Sequence, residues 1–308
     1  MENIGKAMQA ELNRSPLKER LTSIKREVLN DQAVKTFLSE HNLAGDDPIV
    51  ERSLSKLYEF VQENKRSSQG QDPKFENYHP QLIMNVNYID VKYLPNQDFI
   101  AKQVAYQEKQ RVTLVALPKS LKEARFSDFD TSEPSREKAL EEVLAFADHY
   151  LSEETTYRPG LYLHGPFGVG KTYLLAALAN YFAKHGLTTT MVHYPQFVLT
   201  MKDAIADNSV KARIDQLMTA EILVLDDIGA ENNTAWTRDE LLGVILQHRM
   251  QEELPTFFSS NFSMAELEDR LAHTSKGDYE KVKASRLMQR IKYLSQEVMM
   301  SGRNRRFS

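Results

Sequence analysis

Gly165-Pro166-Phe167-Gly168-Val169-Gly170-Lys171-Thr172 matches the pattern G-x-x-x-x-G-K-[ST] at every fixed position. Leu161-Tyr162-Leu163-His164, just before it, is a short apolar run suited to a buried strand. Tyr173-Leu174-Leu175-Ala176-Ala177-Leu178-Ala179, just after it, is rich in strong helix formers. Strand, glycine-rich loop and helix is the setting a phosphate cradle requires. The glycines let backbone N–H groups converge on phosphate oxygens, and the helix N-terminus adds its positive end. On this reading Gly165–Thr172 wrap a nucleoside triphosphate. Lys171 reaches the β- and γ-phosphates, and the Thr172 hydroxyl holds Mg²⁺.

Further along, Ile222-Leu223-Val224-Leu225-Asp226-Asp227 is an apolar run that ends in two carboxylates. A strand buried in the same sheet delivers such groups beside the phosphates. Asp226 is then expected to hold Mg²⁺ together with Thr172, and Asp227 to orient or deprotonate the attacking water. Phe257-Phe258-Ser259-Ser260-Asn261 is another apolar strand with a polar end. Spacing leaves Asn261 with two roles, a contact to the γ-phosphate and water or a cap on the helix starting near Ser263. Arg286 and Arg290, four apart on an expected helix, project from one face. They are either surface residues or contacts to phosphate in a neighbouring subunit, and Arg305-Arg306 offer an in-chain contact. The only Asn-Lys pair, Asn64-Lys65, precedes the loop and is followed by Arg66-Ser67, so a guanine-reading Asn-Lys-x-Asp segment is missing. Together these pieces look like an AAA+ ATPase.

From residue 134 strands and helices alternate, which argues for an α/β fold with a parallel sheet covered on both faces. Pro134 opens a helix. Expected strands lie at Thr188–Tyr194, Glu221–Asp226, Thr256–Ser260 and 297–301, with helices at 196–218, 238–252, 263–272 and 280–293. Earlier, Val34, Phe37, Leu38 and His41 follow helical spacing, and His41 reads as a packed core residue. Val50, Leu54, Leu57, Tyr58 and Val61 follow the same spacing behind an Asp47-Pro48 start. Residues 62–80 are polar and turn-rich and read as a loop. Residues 82–94 and 111–117 carry strand formers. The expected organisation is a small mixed or helical domain over 1–110, a linker over 111–133 and the ATPase domain over 134–308.

The chain has 308 residues, is 41% hydrophobic and 27% charged, and has no cysteine. Disulfides, thiolate zinc sites and cysteine nucleophiles are excluded. Short apolar runs and an N-terminus without signal-peptide form lead to the expectation of a cytoplasmic protein with no membrane partner. Net charge is −4 but uneven, with nine basic and three acidic side chains over residues 276–308. That end either meets an anionic partner or is a solvated helix face.

His164–Thr172, Leu225-Asp226-Asp227-Ile228-Gly229-Ala230-Glu231 and Ser259-Ser260-Asn261-Phe262 together resemble the bacterial replicative helicase loaders of the DnaC/DnaI type. Lys281–Ile291, Gly302–Arg306 and the Ala124–Asp130 joint are similar to the DnaI branch of Gram-positive bacteria. The resemblance implies an N-terminal domain that binds the hexameric replicative helicase, among other primosome proteins. It implies an ATPase domain that controls placement of the helicase on single-stranded DNA, with self-association through that domain. ATP and Mg²⁺ are the implied cofactors. It supports Lys171, Thr172, Asp226 and Asp227 in the roles above and implies Asn261 as a γ-phosphate sensor. Arg290 is the implied finger across subunits with Arg286 beside it, and Arg306 the implied second sensor. The family's N-terminal domain can carry a Cys/His zinc site. With no Cys, and only His41 and His79 before residue 100, none is expected here. Two other readings stand beside the loader: a transposase-helper ATPase acting on duplex DNA, and an ATP-controlled adaptor that hydrolyses weakly because Asp227 replaces a longer Glu.

Overall fold

The computed structural model describes residues 15–68, 75–152, 156–275 and 277–305, which fall into two compact units divided between Val104 and Ala105. The first contains helices α1 (Ser15–Asn30), α2 (Gln32–Glu40), α3 (Pro48–Arg52) and α4 (Leu54–Ser68), then an antiparallel hairpin of β1 (Tyr78–Met84) and β2 (Ile89–Pro95). Helix starts follow local chemistry. Asp31 accepts the N–H groups of Ala33 and Val34 at 3.0 and 3.2 Å. Asp47 accepts that of Ile49 at 2.8 Å, with Pro48 in the first turn. Val28, Val34, Val50, Leu57, Val61 and Ile89 form the core of this unit. Ser53 Oγ accepts the Ile89 N–H at 2.7 Å and fastens the hairpin to the helices.

Two expectations change here. Residues 62–80 are not one loop, because α4 runs on to Ser68 and β1 starts at Tyr78. The polar residues continue a helix: Gln62 and Lys65 both bond Glu27 of α1, and Arg66 pairs with the buried Glu63. His41 is exposed rather than in the core; it ends α2, stacked on Phe37 with Nδ1 3.0 Å from the Phe37 carbonyl. Helix α1 carries no signal that was read from the sequence, and neither does α5 (Gln97–Gln110), across which the division between the units falls.

The second unit holds β3 (Val112–Val115), α6 (Pro134–Leu151), β4 (Gly160–His164), α7 (Lys171–Lys184), β5 (Thr189–His193), α8 (Tyr194–Ala206), α9 (Val210–Met218) and β6 (Ile222–Asp226). A π-helical turn at Trp236–Leu242 leads into α10 (Gly243–Gln251). Then come β7 (Thr256–Ser260), α11 (Met264–Ala272), α12 (Lys281–Leu294) and β8 (Ser295–Met299). The strand order is β3-β5-β6-β7-β4-β8, and every neighbouring pair is parallel. Successive side chains point to opposite faces. Leu223, Leu225 and Phe258 join Phe197, Ile245 and Leu287 on one side; Ile222, Val224 and Phe257 join Phe146, Leu174 and Leu178 on the other. Residues 111–133, expected as a linker, are folded into this unit. Val112–Val115 adds an edge strand beside β5, and Asn180 of α7 donates to the carbonyls of Leu121 and Ala124 at 2.8 and 2.9 Å. Among the described residues no helix is long and apolar enough to cross a membrane.

Candidate nucleotide-binding site

In a parallel sheet every strand ends on the same edge, and that edge is where ligands bind. Register decides which residues meet there. His193 lies opposite Asp226, and Leu225 opposite Phe258, so Asp226 falls beside Ser259. His164 lies opposite Ser260, so the phosphate loop leaves β4 beside Asn261. A cavity of about 770 Å³ opens at this edge.

The loop itself is shaped by glycine. Gly168 and Gly170 have φ of 77° and 99°, a region costly for a residue with a Cβ. At Gly170 a Cβ would also stand 2.8 Å from Arg136 Nη1. Val169 is fully buried and anchors the loop in the core. Phe167, Gly168, Gly170, Lys171 and Thr172 line the cavity. Lys171 Nζ donates to the carbonyls of Gly165 and Pro166 at 2.7 and 2.9 Å, and to Asn261 Oδ1 at 3.0 Å. Gly165, Pro166 and Val169 do not line the cavity; the first two accept the bonds of Lys171, and Val169 is buried in the core.

Asp226 Oδ1 accepts the hydroxyls of Thr172 and Ser259, each at 2.6 Å. Burial pushes the Asp226 carboxyl above the ordinary carboxylate range; the Ser259 and Thr172 bonds pull against the rise, and Asp227 adds to it. A buried carboxylate beside a hydroxyl is a hard-oxygen pair that suits Mg²⁺. Asp227 lies next to it in the left-handed region, φ 59°. Its N–H donates to Ser259 Oγ at 2.9 Å, and its Oδ1 accepts Asn261 Nδ2 at 2.7 Å. Asn261 does not cap the next helix; Ser263 does, in a reciprocal box with Glu266.

Several residues of the site were not read from the sequence. His193 at the end of β5 places Nε2 4.0 Å from Asp227 Oδ2, while its Nδ1 accepts the Gln196 N–H. The rule that strand ends face the ligand would have pointed to it. Ala116, Leu117, Pro118, Phe129 and Tyr173 give the cavity an apolar wall. Arg136 is buried behind the loop. It donates to the carbonyls of Val169 and Asp130, with its guanidinium 4.0 Å from the centre of the Phe129 ring. Asp130 pairs with Arg305, whose own N–H donates to the Gly168 carbonyl at 3.0 Å. Bonds from Ser132, then Arg305, hold the Asp130 carboxyl well below its usual range.

The late arginines separate. Arg305 lines the cavity. Arg306 lies outside the described residues. Arg286 is exposed on α12, and Arg290 donates to the Gly243 carbonyl at 2.7 Å; neither lines the cavity within this chain. Among the described residues no three His, Asp or Glu gather as a metal-holding group.

Known proteins resemble this chain along its length. The family model described as IstB-like ATP binding protein matches residues 97–306, and that described as Primosomal protein DnaI N-terminus matches residues 1–93. A crystal structure of a putative primosome component from Streptococcus pyogenes serotype M3 is 43% identical; it superposes with a TM-score of 0.55 over 67% of this chain and 100% of its own. A crystal structure of the DnaC helicase loader, 21% identical with a TM-score of 0.50 over 60% of this chain and 100% of its own, shares the AAA+ phosphate-loop fold. The replicative helicase loader DnaI of Bacillus subtilis is 39% identical over 99% of both chains. An ATP-binding core and a DnaI-type N-terminus, joined in one chain that aligns end to end with that relative, place this protein in a family: it belongs to the DnaI replicative helicase loaders.

Proposed function

We propose that the protein is an ATP-dependent loader. It binds the hexameric replicative helicase through residues 1–110 and places it on single-stranded DNA, within the cytoplasmic primosome. Its family and the two-part organisation support the helicase as partner. The observation that carries the ATP dependence is the line of contacts Lys171–Asn261–Asp227, which joins the phosphate loop to the acidic strand end.

In this reading Lys171 leaves the loop carbonyls for the β- and γ-phosphates, and Asn261 reports the γ-phosphate to Asp227. Asp227 orients the water and accepts its proton. Thr172 and Asp226 would hold Mg²⁺, which supplies neutralisation of charge on the β- and γ-oxygens. Arg290 of a second copy, with Arg286 beside it, completes the site through self-association, and Arg306 is the proposed in-chain sensor near Arg305. Pull-down of the replicative helicase by the full chain, with and without ATP and single-stranded DNA, tests the reading. Retention that responds to ATP, and is lost from that response in Lys171→Ala, is expected. No retention under any condition removes the helicase assignment.

The match of residues 97–306 to IstB-like ATP-binding proteins favours one second reading, an ATPase acting on duplex DNA. Preference for duplex over single strands, without helicase retention, would establish it.

A further inference from the structure

The turn after β6 enters the left-handed region twice. Asp227 has φ 59°, a conformation that Asp tolerates better than most residues with a Cβ but that local bonds must still hold. Ile228 is held from both sides, its N–H on the Ser259 carbonyl at 2.9 Å and its carbonyl on Ser260 Oγ at 2.7 Å. Gly229, with φ 93°, is held twice more. Its N–H donates to Glu231 Oε2 at 2.7 Å, and its carbonyl accepts Arg270 Nε at 2.9 Å. The Arg270 guanidinium also lies 4.5 Å from the centre of the Phe262 ring, next in sequence to Asn261. The contacts thus close a circuit: Glu231 to Gly229, Gly229 to Arg270, Arg270 to Phe262, and Asn261 back to Asp227.

We propose that Glu231 is a positioning residue for ATP hydrolysis, whose carboxylate holds the Gly229 N–H and so keeps Asp227 against Asn261. The proposal rests on the reading that Asp227 handles the attacking water. Glu231 does not line the nucleotide cavity. It borders a separate cavity of about 380 Å³ with Asn233, Arg270 and His273, and therefore acts through the turn and not on the nucleotide. Glu231 is 8% exposed, and burial pushes its carboxyl above the ordinary range against the bonds it accepts from its own N–H and that of Gly229. A glutamate in such a place needs a structural task, and capture of one N–H in the turn is the task the geometry shows. The task asks for an acceptor oxygen at that point and not for a charge, so glutamine can perform it.

The test compares full-length wild type with Glu231→Ala, Glu231→Gln, Arg270→Gln and Asp227→Asn. Each is followed by steady-state ATPase kinetics, binding of a fluorescent ATP analogue and thermal melting. Glu231→Ala is expected to lower kcat about 10- to 100-fold while nucleotide affinity stays within about twofold, because a displaced catalytic group costs turnover and not ground-state binding. Glu231→Gln is expected to keep kcat within about threefold of wild type, because its amide oxygen accepts the same N–H. Arg270→Gln, which loosens Gly229 from its carbonyl side, is expected to lower kcat with affinity retained, and it decides the matter if Glu231→Ala does not fold. Wild-type kcat in a folded Glu231→Ala or in Arg270→Gln overturns the proposal. So does a parallel loss of affinity and turnover, or a Glu231→Gln as slow as the alanine variant. Wild-type turnover in Asp227→Asn overturns instead the reading on which the proposal rests.

Discussion

Lys171 Nζ and Asn261 Oδ1 lie 3.0 Å apart, although ninety residues separate them in the chain. The other end of the same amide, Nδ2, donates to Asp227 Oδ1 at 2.7 Å. One side chain therefore touches both the loop lysine and the strand-end carboxylate on which the proposed function depends. Asn261→Ala should lower ATP turnover about 10- to 100-fold while ATP binding changes by less than about threefold, because other loop groups still hold the triphosphate. Steady-state kinetics and a binding titration on one preparation separate the two effects.

Lys171 is 7% exposed and is tied to carbonyl oxygens that, in the proposed function, it exchanges for phosphate. Lys171→Met should weaken ATP binding by at least about tenfold through loss of charge-assisted bonds. Calorimetric titration with ATP measures this; unchanged affinity would place the triphosphate elsewhere.

Arg249 is fully buried and donates to the carbonyls of Leu217, Met218, Ala220 and Pro255 and to Thr256 Oγ1. It fastens the C-terminal end of α9 to the start of β7. Arg249→Met leaves several buried acceptors without a donor, at a cost of about 3 kcal/mol or more. Thermal melting should show the loss, and a melting point equal to wild type would contradict the assignment.

The Glu231 carboxyl has a folded-state pKa above its unfolded value of 4.5, raised mainly by burial. The folded state therefore binds the proton more tightly. The stabilising contribution of this group is fully present below the unfolded pKa and is lost as pH rises through the folded one. Glu231→Gln removes the titration, so its stability relative to wild type should grow as pH is raised from about 4.5 towards neutrality. Denaturant unfolding across that range checks the sign, and a gap that shrinks with rising pH would refute it.

Leu57 is fully buried in the core of the first unit. Leu57→Ala should destabilise that unit by about 2–5 kcal/mol. ATP binding by the second unit should persist, and helicase retention should fail at a temperature where the first unit has melted. Loss of ATP binding together with helicase retention would show that the two units unfold as one.

Much of the site was legible because its parts are contiguous. The phosphate loop, the Asp226-Asp227 strand end and the Ser259-Ser260-Asn261 strand end each declare themselves within a few residues. Local rules also located Asp47-Pro48 and Pro134 as helix starts. The misreadings have physical causes too. Residues 62–68 look like a loop because a helix face turned to partners such as Glu27 needs no apolar stripe. Val112–Val115 reads as strand-forming but falls in the expected linker, because a four-residue run does not reveal which strand it will pair with.

Residue order alone settled a strand–loop–helix phosphate cradle, a parallel α/β sheet and the acidic pair, since these follow from glycine torsions, side-chain periodicity and helix-end chemistry. Folding decided what surrounds them. Strand order put β7 between β4 and β6, so Asn261 bridges Lys171 and Asp227 while Ser263 caps the helix. It also drew Asp130 and Arg136, His193 and Arg305 to one cavity from three separate stretches of chain. Such contacts depend on strand register and on where distant segments come to rest, and no local pattern of residues encodes that.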